Sequence, residues 1–551
     1  MTNFTDGKEL KINTDVLVVG GGLTGIKAAS EISNLGYQVT LIENEANIGS
    51  QKEQKTLVGL TDEDHKCLQE MESRVTSDKR IEILTKTKIA TIKGMPGDFS
   101  VRLSNNDNIL EKKVGAVVVA NDFSVNSLND KYGLSLSDNI LTQSQIEEIL
   151  VSDKEKLADK TVAFLVGLAQ ETNPLIMERV MRTVIDINEI DGTATYIYTG
   201  NLKVASDGLE RIYKEGRDKG ATYFKLQEMP KISQDGKIIS YHDPVLRRDI
   251  EVSPDMIVVD DEIYAGKNNA GLSEILRVDL GAGGFLQKDN VHRFPVYSNR
   301  EGIFVVGPGR DVQKLQAAWM DVENAALEIK SFLGNGIKIV PDNKAVVDTG
   351  KCVFCLTCYR CCPHGAIYWA EENKAVISPL ACQSCGICAS ECPMDAIQIG
   401  GFTDDEIKNS VKKSLDVKNE PKIVAFCCQN SAFEAGEMAK KFKIKLPDGL
   451  KMIKVPCAGK IDLDYILNTF VEGADGVLIM ACHNGNCKSE KGNIYAGWRV
   501  DDAHRMLEET GLEKERLRFV TLASNMGSGF SSAVAEMENK IKEIGLSPLR
   551  N

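Results

Sequence analysis

The stretch DVLVVGGGLTG, residues 15–25, joins a buried-strand pattern directly to a glycine-rich turn. Helical periodicity follows as far as Gly36, and a second strand pattern, Tyr37–Ile42, ends at Glu43. This order puts a G-x-G-x-x-G turn in the strand–turn–helix setting of dinucleotide-binding domains, with an acid about twenty residues further on. The stretch therefore predicts an α/β domain in which the turn meets a pyrophosphate and the acid meets a ribose.

Two later segments favour FAD over NAD as that dinucleotide. GAVVVA, residues 115–120, looks like the strand that returns beneath the dinucleotide in two-dinucleotide flavoproteins. EGIFVVGPGRD, residues 301–311, looks like their closing strand and loop, and a helix predicted at Leu315–Phe332 would direct its N-terminus at the isoalloxazine ring. The predicted cofactor-binding residues are Gly20, Gly22, Leu23, Thr24, Gly25, Glu43, Asn44, Ala120, Gly307 and Asp311.

The middle of the chain does not repeat this pattern. A strand is predicted at Thr161–Val166, but the turn after it, GLAQET, has no glycine triplet. A flavoprotein reduced by NAD(P)H would be expected to carry a second phosphate-binding turn there. Residues 1–350 also contain no cysteine pair spaced for a redox-active disulfide, and the lone Cys67 is expected to be unreactive. The flavin is therefore expected to exchange electrons with other groups in the chain.

Two cysteine runs supply such groups. CVFCLTCYRCCP, residues 352–363, and CQSCGICASECP, residues 382–393, each contain C-x2-C-x2-C-x3-C-P. In this pattern three cysteines bind one [4Fe-4S] cluster and the fourth, before proline, binds the other. Structural zinc is the alternative for CxxC pairs. The predicted ligands are Cys352, Cys355, Cys358 and Cys392 for the first cluster, and Cys362, Cys382, Cys385 and Cys388 for the second.

The last 130 or so residues alternate strand and helix patterns, which predicts a doubly wound parallel sheet. Strands are predicted at 421–426, 452–455, 476–480 and 517–521, and helices at 432–442, 462–472, 501–510 and 531–544. Five further cysteines fall at the ends of these strands, where open α/β sheets bind ligands. We expect a [2Fe-2S] cluster on Cys457, Cys482, Cys487 and one of Cys427 and Cys428, with Cys428 favoured. Zinc and a set of buried thiols are the alternatives.

Composition limits the partners and the location. A formal net charge of −13 over 551 residues argues against nucleic acid, because phosphate binding needs clustered Lys and Arg. All cysteines except Cys67 lie within residues 352–487, which favours metal ligation over disulfides. The first residues show no signal-peptide pattern, and the apolar runs are far shorter than the ~20 residues that span a bilayer. A reducing cytoplasm without direct membrane insertion is expected.

The predicted fold class is α/β, with a two-dinucleotide-binding-type FAD domain, a 2[4Fe-4S] ferredoxin-like insert and a C-terminal doubly wound α/β domain. Five segments are predicted: the first part of the FAD domain at 1–150, a middle α/β domain without a nucleotide fingerprint at 151–290, the closing part of the FAD domain at 291–340, the ferredoxin domain at 341–402 and the [2Fe-2S] domain at 415–551.

These motifs carry a family resemblance. The flavin half and the ferredoxin resemble the A subunit of heterodisulfide reductase through GGGLTG, GIFVVGPGRD and the paired cysteine runs. The C-terminal part resembles the delta subunit of methyl-viologen-reducing hydrogenase through FCCQN, VPCAGKID and GADGVLIMACHNGNC, with Ser431 where the family usually has a cysteine. The fusion is also similar to the B subunit of the quinone-interacting oxidoreductase.

The resemblance implies an electron-transfer subunit that is active within a multi-subunit cytoplasmic redox complex. Its expected partners are heterodisulfide reductase B- and C-like subunits and a hydrogenase- or dehydrogenase-like subunit, and flavin-based electron bifurcation is the implied mode. One alternative is a self-contained NAD(P)H-dependent FAD and iron–sulfur oxidoreductase, similar to the small subunit of glutamate synthase. The other is an assembly scaffold with structural clusters.

Overall fold

The computed structural model describes residues 7–49, 62–105, 108–233, 235–243, 246–287, 290–369, 372–416 and 420–550. The elements before residue 130 are β1 (Gly7–Lys11), β2 (Val16–Val19), α1 (Leu23–Asn34), β3 (Val39–Ile42), α2 (Asp62–Ser77), β4 (Ile81–Leu84), β5 (Thr87–Met95), β6 (Asp98–Asn105), β7 (Asn108–Val114), β8 (Ala116–Val119) and β9 (Ser124–Ser127).

The following elements, to residue 341, are β10 (Ile140–Thr142), α3 (Gln143–Ser152), β11 (Thr161–Val166), α4 (Pro174–Ile187), β12 (Ala194–Thr199), α5 (Leu209–Asp218), β13 (Thr222–Lys225), β14 (Lys231–Ile232), β15 (Ile239–Asp243), β16 (Arg248–Val252), β17 (Met256–Val259), β18 (Asp261–Tyr264), α6 (Asn269–Leu276), β19 (Ile303–Val305), α7 (Leu315–Leu333) and β20 (Ile337–Pro341).

The remaining elements are β21 (Ala345–Val347), α8 (Thr357–Cys361), β22 (Ile367–Trp369), β23 (Ala375–Ile377), α9 (Ile387–Ser390), β24 (Ile397–Ile399), α10 (Asp404–Leu415), β25 (Ile423–Cys428), α11 (Ala432–Lys441), β26 (Leu450–Val455), α12 (Leu463–Val471), β27 (Gly476–Ala481), α13 (Gly492–Thr510), β28 (Leu517–Thr521) and α14 (Gly527–Ile544). Among the described residues, no helix is both long and apolar enough to cross a membrane.

The first sheet holds the glycine turn. Its strands run parallel in the order β19-β8-β2-β3-β4. All four residues of the central strand β2 are buried, as expected for a parallel sheet that is covered on both faces. Helices α1 and α7 pack on one face, and the antiparallel sheet β5-β6-β7 covers the other. The strands predicted at 15–19, 37–42 and 115–120 and the helix at 315–332 are confirmed to within three residues.

The middle sheet is also parallel, in the order β10-β17-β11-β12-β13. Helices α3, α4 and α5 pack on one face, and the small antiparallel sheet β14-β15-β16 packs on the other. Strand β10 belongs to this sheet although it precedes residue 150, and β9 pairs with β18 between the first and middle sheets. The boundaries predicted for the domains stay predictions.

The ferredoxin-like unit, residues 345–399, is built from two similar halves. One half is β21, α8 and β22, and the other is β23, α9 and β24. Strand β21 pairs antiparallel with β24, and β22 pairs antiparallel with β23. Each cysteine run therefore lies in the loop and short helix that connect the two strands of its own half.

The C-terminal sheet has parallel strands in the order β26-β25-β27-β28. Helices α11 and α14 pack on one face, and α12 and α13 pack on the other. The predicted doubly wound sheet is therefore confirmed, and its strand order reverses between β25 and β27, the place where such sheets bind ligands. Helix α13 begins at Gly492 and not at the predicted Asp501, because glycines at 492 and 497 weaken the helical signal of its first turns.

Candidate functional site

The glycine turn after β2 is too tight for any side chain. Gly20 has φ +105°, and a Cβ built on it would lie 2.5 Å from the carbonyl oxygen of Ala120. A Cβ on Gly25 would lie 1.8 Å from the carbonyl oxygen of Gly20. Helix α1 begins after Gly22, and within the described residues no side chain caps its N-terminus. The amides of its first turn, which includes Leu23 and Thr24, therefore face the turn where a pyrophosphate would bind.

The predicted ribose-binding acid lies against this turn. One carboxylate oxygen of the buried Glu43 accepts a hydrogen bond from the Gly21 amide at 2.6 Å, and the other accepts one from the Glu45 amide at 2.8 Å. Asn44 beside it is exposed. The structure thus brings Glu43 to the glycine turn and holds its carboxylate in one orientation.

The closing loop also meets helix α1. Gly307 has φ +62°, and a Cβ on it would lie 2.7 Å from the Thr24 side chain. The loop is held by the buried Asp321 of α7, which accepts hydrogen bonds from the Gly307 amide at 3.2 Å and from the Arg310 side chain at 2.9 Å. Asp311 points to solvent. Sequence reasoning did not select Asp321 or Arg310, although an acid within the apolar stripe of a helix is a signal that could have done so.

The equivalent position in the middle sheet is arranged differently. Helix α4 follows β11, but the Asn173 side chain accepts hydrogen bonds from the amides of Leu175 and Ile176 at 3.0 and 3.1 Å. Two first-turn amides that could bind a nucleotide phosphate are therefore already bonded. This arrangement agrees with the missing glycine triplet and disfavours a nicotinamide dinucleotide here.

The first cysteine set of the ferredoxin-like unit surrounds one small apolar cavity. Cys352, Cys355, Cys358 and Cys392 line it, together with apolar side chains of β21, β23 and β24. Burial, together with the negative charges of the other three sulfurs, raises the pKa of Cys358 to about 11. Thiolates held this close repel one another, so the donor set fits a cationic iron–sulfur core.

The second cysteine set has the same arrangement with the two halves exchanged: Cys382, Cys385 and Cys388 come from the second half, and Cys362 comes from the first. Burial raises the pKa of Cys388, and its sulfur neighbours include Cys385, Cys362 and Cys382. Backbone amides point at the ligand sulfurs in both sets: the Ala366 amide lies 3.5 Å from the Cys362 sulfur. The corresponding amide, of Ala396, lies 3.3 Å from Cys392. Such contacts are among those that set cluster potentials.

The third cysteine set lies at the switch point of the C-terminal sheet. The sulfurs of Cys428 and Cys482 are 3.8 Å apart. The Cys457 sulfur makes hydrogen-bonding contacts with Cys428 and Cys487, and the Cys482 sulfur also contacts Cys487, so the four sulfurs form a closed ring. Hydrogen bonds from Cys428 and Cys487 lower the pKa of Cys482. Cys427 lies on the opposite face of the sheet, in the core beneath α11 and α14.

Glycine again permits a close approach at this set. A Cβ on Gly492, the first residue of α13, would lie 2.2 Å from the Cys457 sulfur. The neighbouring Asn493 donates its backbone amide to the Cys487 sulfur and its side-chain amide to the Cys482 carbonyl at 3.1 Å. Across the described residues, no three His, Cys, Asp or Glu side chains are arranged to hold a single metal ion.

The three parts of the chain meet around the second and third cysteine sets. Cys385 lies close enough to Cys487 for the charge of one to raise the pKa of the other. Asn290, from the segment before β19, donates its side-chain amide to the Cys487 carbonyl at 3.0 Å. The guanidinium of Arg277 stacks 4.2 Å from the ring centroid of Tyr359. The flavin half therefore contacts both the ferredoxin-like unit and the C-terminal sheet.

Comparison with known proteins agrees with this division. Residues 2–149 match the family described as pyridine nucleotide-disulphide oxidoreductase, residues 375–398 match the 4Fe-4S binding domain, and residues 423–545 match the delta subunit of methyl-viologen-reducing hydrogenase. A solved thioredoxin reductase from T. acidophilum aligns over 58% of the chain and 99% of its own length, at 14% identity and a TM-score of 0.39.

Two curated relatives match different lengths of the chain. The A subunit of the ferredoxin:CoB-CoM heterodisulfide reductase of Methanosarcina mazei is 24% identical over 97% of this chain and 80% of its own length. The vhc iron-sulfur D subunit of the F420-non-reducing hydrogenase of Methanococcus voltae is 37% identical over 24% of this chain and 91% of its own length.

Fold, cysteine runs and glycine turn together define an iron–sulfur flavoprotein of the oxidoreductase class. Through its C-terminal sheet the chain belongs to the family of the delta subunit of methyl-viologen-reducing hydrogenase, and over nearly its whole length it is homologous to the A subunit of heterodisulfide reductase. It is thus an electron-transfer subunit of the type found in multi-subunit redox complexes.

Proposed function

We propose that the chain passes electrons between a [2Fe-2S] cluster, two [4Fe-4S] clusters and FAD, within a complex of several subunits. The observation that carries the proposal is the direct packing of the loop of the second cysteine set on the turn of the third, where a Cβ on Gly386 would lie 2.7 Å from Lys460 and a Cβ on Gly459 2.5 Å from Ile387. An enzyme that only needed structural metal would have no reason to place two thiolate sets side by side. Electron transfer, in contrast, requires such short separations.

The cysteine sets supply the ligands in this proposal. The [2Fe-2S] cluster would be held by Cys428, Cys457, Cys482 and Cys487, whose sulfurs form the closed ring. The [4Fe-4S] clusters would be held by the two sets of the ferredoxin-like unit as their sequence pattern predicts. When bound, the clusters supply one-electron transfer and the flavin links one-electron to two-electron transfer.

The chain's own residues would fix spacing and potential. Amides such as those of Ala366 and Ala396 hydrogen-bond ligand sulfurs, which stabilises the more negative, reduced form. The glycine turn and Glu43 would hold the dinucleotide so that the flavin stays at one distance from the clusters. Asn173, which caps α4, supports a flavin that is not reduced by NAD(P)H in this chain.

The proposal includes partner subunits and electron bifurcation. The Methanococcus voltae relative is a hydrogenase subunit, which supports a hydrogenase- or dehydrogenase-like partner at the C-terminal sheet. The Methanosarcina mazei relative is a heterodisulfide reductase subunit, which supports B- and C-like partners. The flavin half touches the ferredoxin-like unit at Tyr359 and the C-terminal sheet at Cys487, and two separate routes are what bifurcation at a flavin requires.

Anoxic purification followed by metal and flavin analysis tests the cofactor set. We expect one FAD and about ten iron atoms per chain, since two [4Fe-4S] and one [2Fe-2S] cluster contain that many. Electron paramagnetic resonance (EPR) of the reduced protein should show both cluster types. About eight irons without a [2Fe-2S] signal would remove the third site, and zinc in place of iron would support the alternative metal. A preparation without flavin would overturn the proposal for the first sheet.

A further inference from the structure

A buried lysine follows the third cysteine set. Lys460 lies three residues after Cys457, in a short turn between β26 and α12, and its side chain is 1% exposed. Lysine is almost never fully buried without a partner, because removing an ammonium group from water is strongly unfavourable. A methionine or leucine would fill the same space without that cost, so the charge itself calls for an explanation.

Two groups from different units hold the ammonium. Lys460 donates to a carboxylate oxygen of Asp404 at 2.5 Å and to the Tyr465 hydroxyl at 2.6 Å. Asp404 begins helix α10, directly after the ferredoxin-like unit, whereas Tyr465 belongs to α12 of the C-terminal sheet. Burial tends to raise the pKa of Asp404, but hydrogen bonds from Lys460 and Tyr465 outweigh it and lower that pKa below its usual value. The pair is therefore an ion pair across the junction of the two units.

The stem of Lys460 lies on the backbone of the second cysteine set. Gly386, between Cys385 and Ile387, has φ +82°, and a Cβ on it would lie 2.7 Å from the Cβ of Lys460. The Lys460 carbonyl accepts a hydrogen bond from the Ser390 hydroxyl at 2.7 Å. Lys460 thus bridges the loop that carries the second set and the turn that carries part of the third.

The flanking turn is fixed from the other side as well. The buried Arg499 of α13 donates to the carbonyls of Gly459 at 2.9 Å and Ile461 at 2.7 Å, and it also pairs with Glu391 beside the ligand Cys392. A Cβ on Gly459 would lie 2.5 Å from the Ile387 side chain. The turn around Lys460 therefore has little freedom to move relative to the ferredoxin-like unit.

We propose that Lys460 is a positioning residue for electron transfer between the second and third cysteine sets, an inference that rests on the proposed function. It fixes the separation of the two sets through Gly386. Its buried positive charge, on a side chain that touches the loop of the second set and follows Cys457 of the third by three residues, also favours the reduced, more negative state of each cluster.

Redox titrations of the purified holoprotein, followed by EPR, test this role. In Lys460→Met we expect both the [2Fe-2S] cluster and the neighbouring [4Fe-4S] cluster to become harder to reduce. The expected effect is about a tenfold lower ratio of reduced to oxidised cluster at a fixed potential, which is 59 mV for one electron. Asp404→Asn, which removes the opposite charge, should shift both potentials in the other direction.

Lys454→Met is the matched control. Lys454 lies on β26 three residues before Cys457, but its exposed side chain lies over the Phe433 ring, on the opposite face of the sheet beside Cys427. Solvent therefore screens its charge, and the potentials should stay at the wild-type values. Lys460→Arg, which keeps the charge, should also stay near wild type. If Lys460→Met does not fold, the comparison of Lys460→Arg with Asp404→Asn still decides, because only the second variant should shift the potentials.

Two results would overturn the role of Lys460. Unchanged potentials in folded Lys460→Met would make the residue a structural link only, and shifts of the same sign in Lys460→Met and Asp404→Asn would indicate general disturbance of the junction. These results differ from failure of the proposed function, which would appear in the wild-type protein as missing iron.

Discussion

Cys427 and Cys428 are neighbours in the chain but lie on opposite faces of the C-terminal sheet. Cys428 faces the ring of sulfurs, 3.8 Å from Cys482, whereas Cys427 packs with Phe530 in the core under α11 and α14. Strand geometry causes this separation, because successive side chains point to opposite faces. The two residues therefore form a matched pair of substitutions, with the same chemistry and opposite surroundings.

Replacement of each cysteine by alanine should distinguish the residue that binds the cluster from the residue that only packs in the core. Cys428→Ala should lower the iron content by about two atoms per chain and remove the [2Fe-2S] signal, because the cluster loses one of four thiolates. Cys427→Ala should keep all the iron and lower the free energy of unfolding by roughly 1 kcal/mol, because it leaves a small cavity in the core. Iron analysis and EPR of both variants decide the matter. Equal iron loss in the two would contradict the assignment.

Sequence reasoning identified both cysteines and favoured Cys428 without a structural reason for the choice. Alternation along β25 shows that only one of the two can face the other cysteines, but which face they occupy depends on the side that α12 and α13 cover. That choice is made by the chain topology, not by local residues. Asp321 was missed for a related reason, since its role depends on the closing loop that reaches it from β19.

At the scale of elements, continuous apolar runs were the reliable signal. Strands such as β11 and β27 lie within one residue of the predicted bounds, because buried parallel strands read as unbroken apolar runs. The antiparallel sheets β5-β6-β7 and β14-β15-β16 were not predicted, since their half-exposed strands mix polar and apolar residues. The first turns of α13 were missed because glycine serves there to approach a sulfur.

The end of β17 carries a buried acid with a measurable pH signature. Asp260 accepts hydrogen bonds from the Tyr132 hydroxyl at 3.0 Å and from the Gly167 amide at 2.7 Å. Burial raises its pKa from 3.8 to about 7. Between these values the folded protein keeps a proton that the unfolded chain has released, so the free energy of unfolding contributed by this group falls as the pH rises from about 4 to about 7.

Asp260→Asn should remove this contribution. The amide is neutral at every pH, and its oxygen can still accept from Gly167, so the variant should gain thermal stability relative to wild type as the pH rises from 5 to 8. Calorimetry of both proteins at each pH measures the difference, and ionisations elsewhere cancel in the comparison. Parallel pH curves for the two proteins would show that Asp260 is already ionised at pH 5.

On the scale of the whole molecule, the ferredoxin-like unit and the C-terminal sheet share one core. The same cluster of buried side chains includes Ile387 and Ile397 from the former and Phe426 and Ile479 from the latter, together with cysteines of all three sets. The first sheet is built around a separate core between α1 and α7. Binding of iron and packing of the core therefore depend on each other in the ferredoxin-like unit and the C-terminal sheet. Within the part of the chain that the structure describes, the core of the first sheet contains no cysteine ligand and should pack independently of iron.

Removal of iron by an anoxic chelator should lower the local stability of the ferredoxin-like unit and the C-terminal sheet, but not that of the first sheet. We expect faster hydrogen exchange in residues 345–399 and in the segments after β26 and β27, because the clusters that cross-link these segments through the shared core are then gone. Exchange in β2 and β3 should stay within experimental error of the holoprotein. Mass spectrometry of the exchanged peptides checks this, and equal loosening of β2 would contradict the separation of the cores.

Helix α10 joins the ferredoxin-like unit to the C-terminal sheet within one chain, whereas the Methanococcus voltae relative covers this sheet as a separate chain. The tether makes docking of the two units intramolecular, with an effective concentration on the order of 1 mM. A contact with a Kd of only ~10 µM would then be closed in about 99% of molecules. Substitutions at the contact around Gly386 should therefore alter electron transfer between docked units long before they separate them.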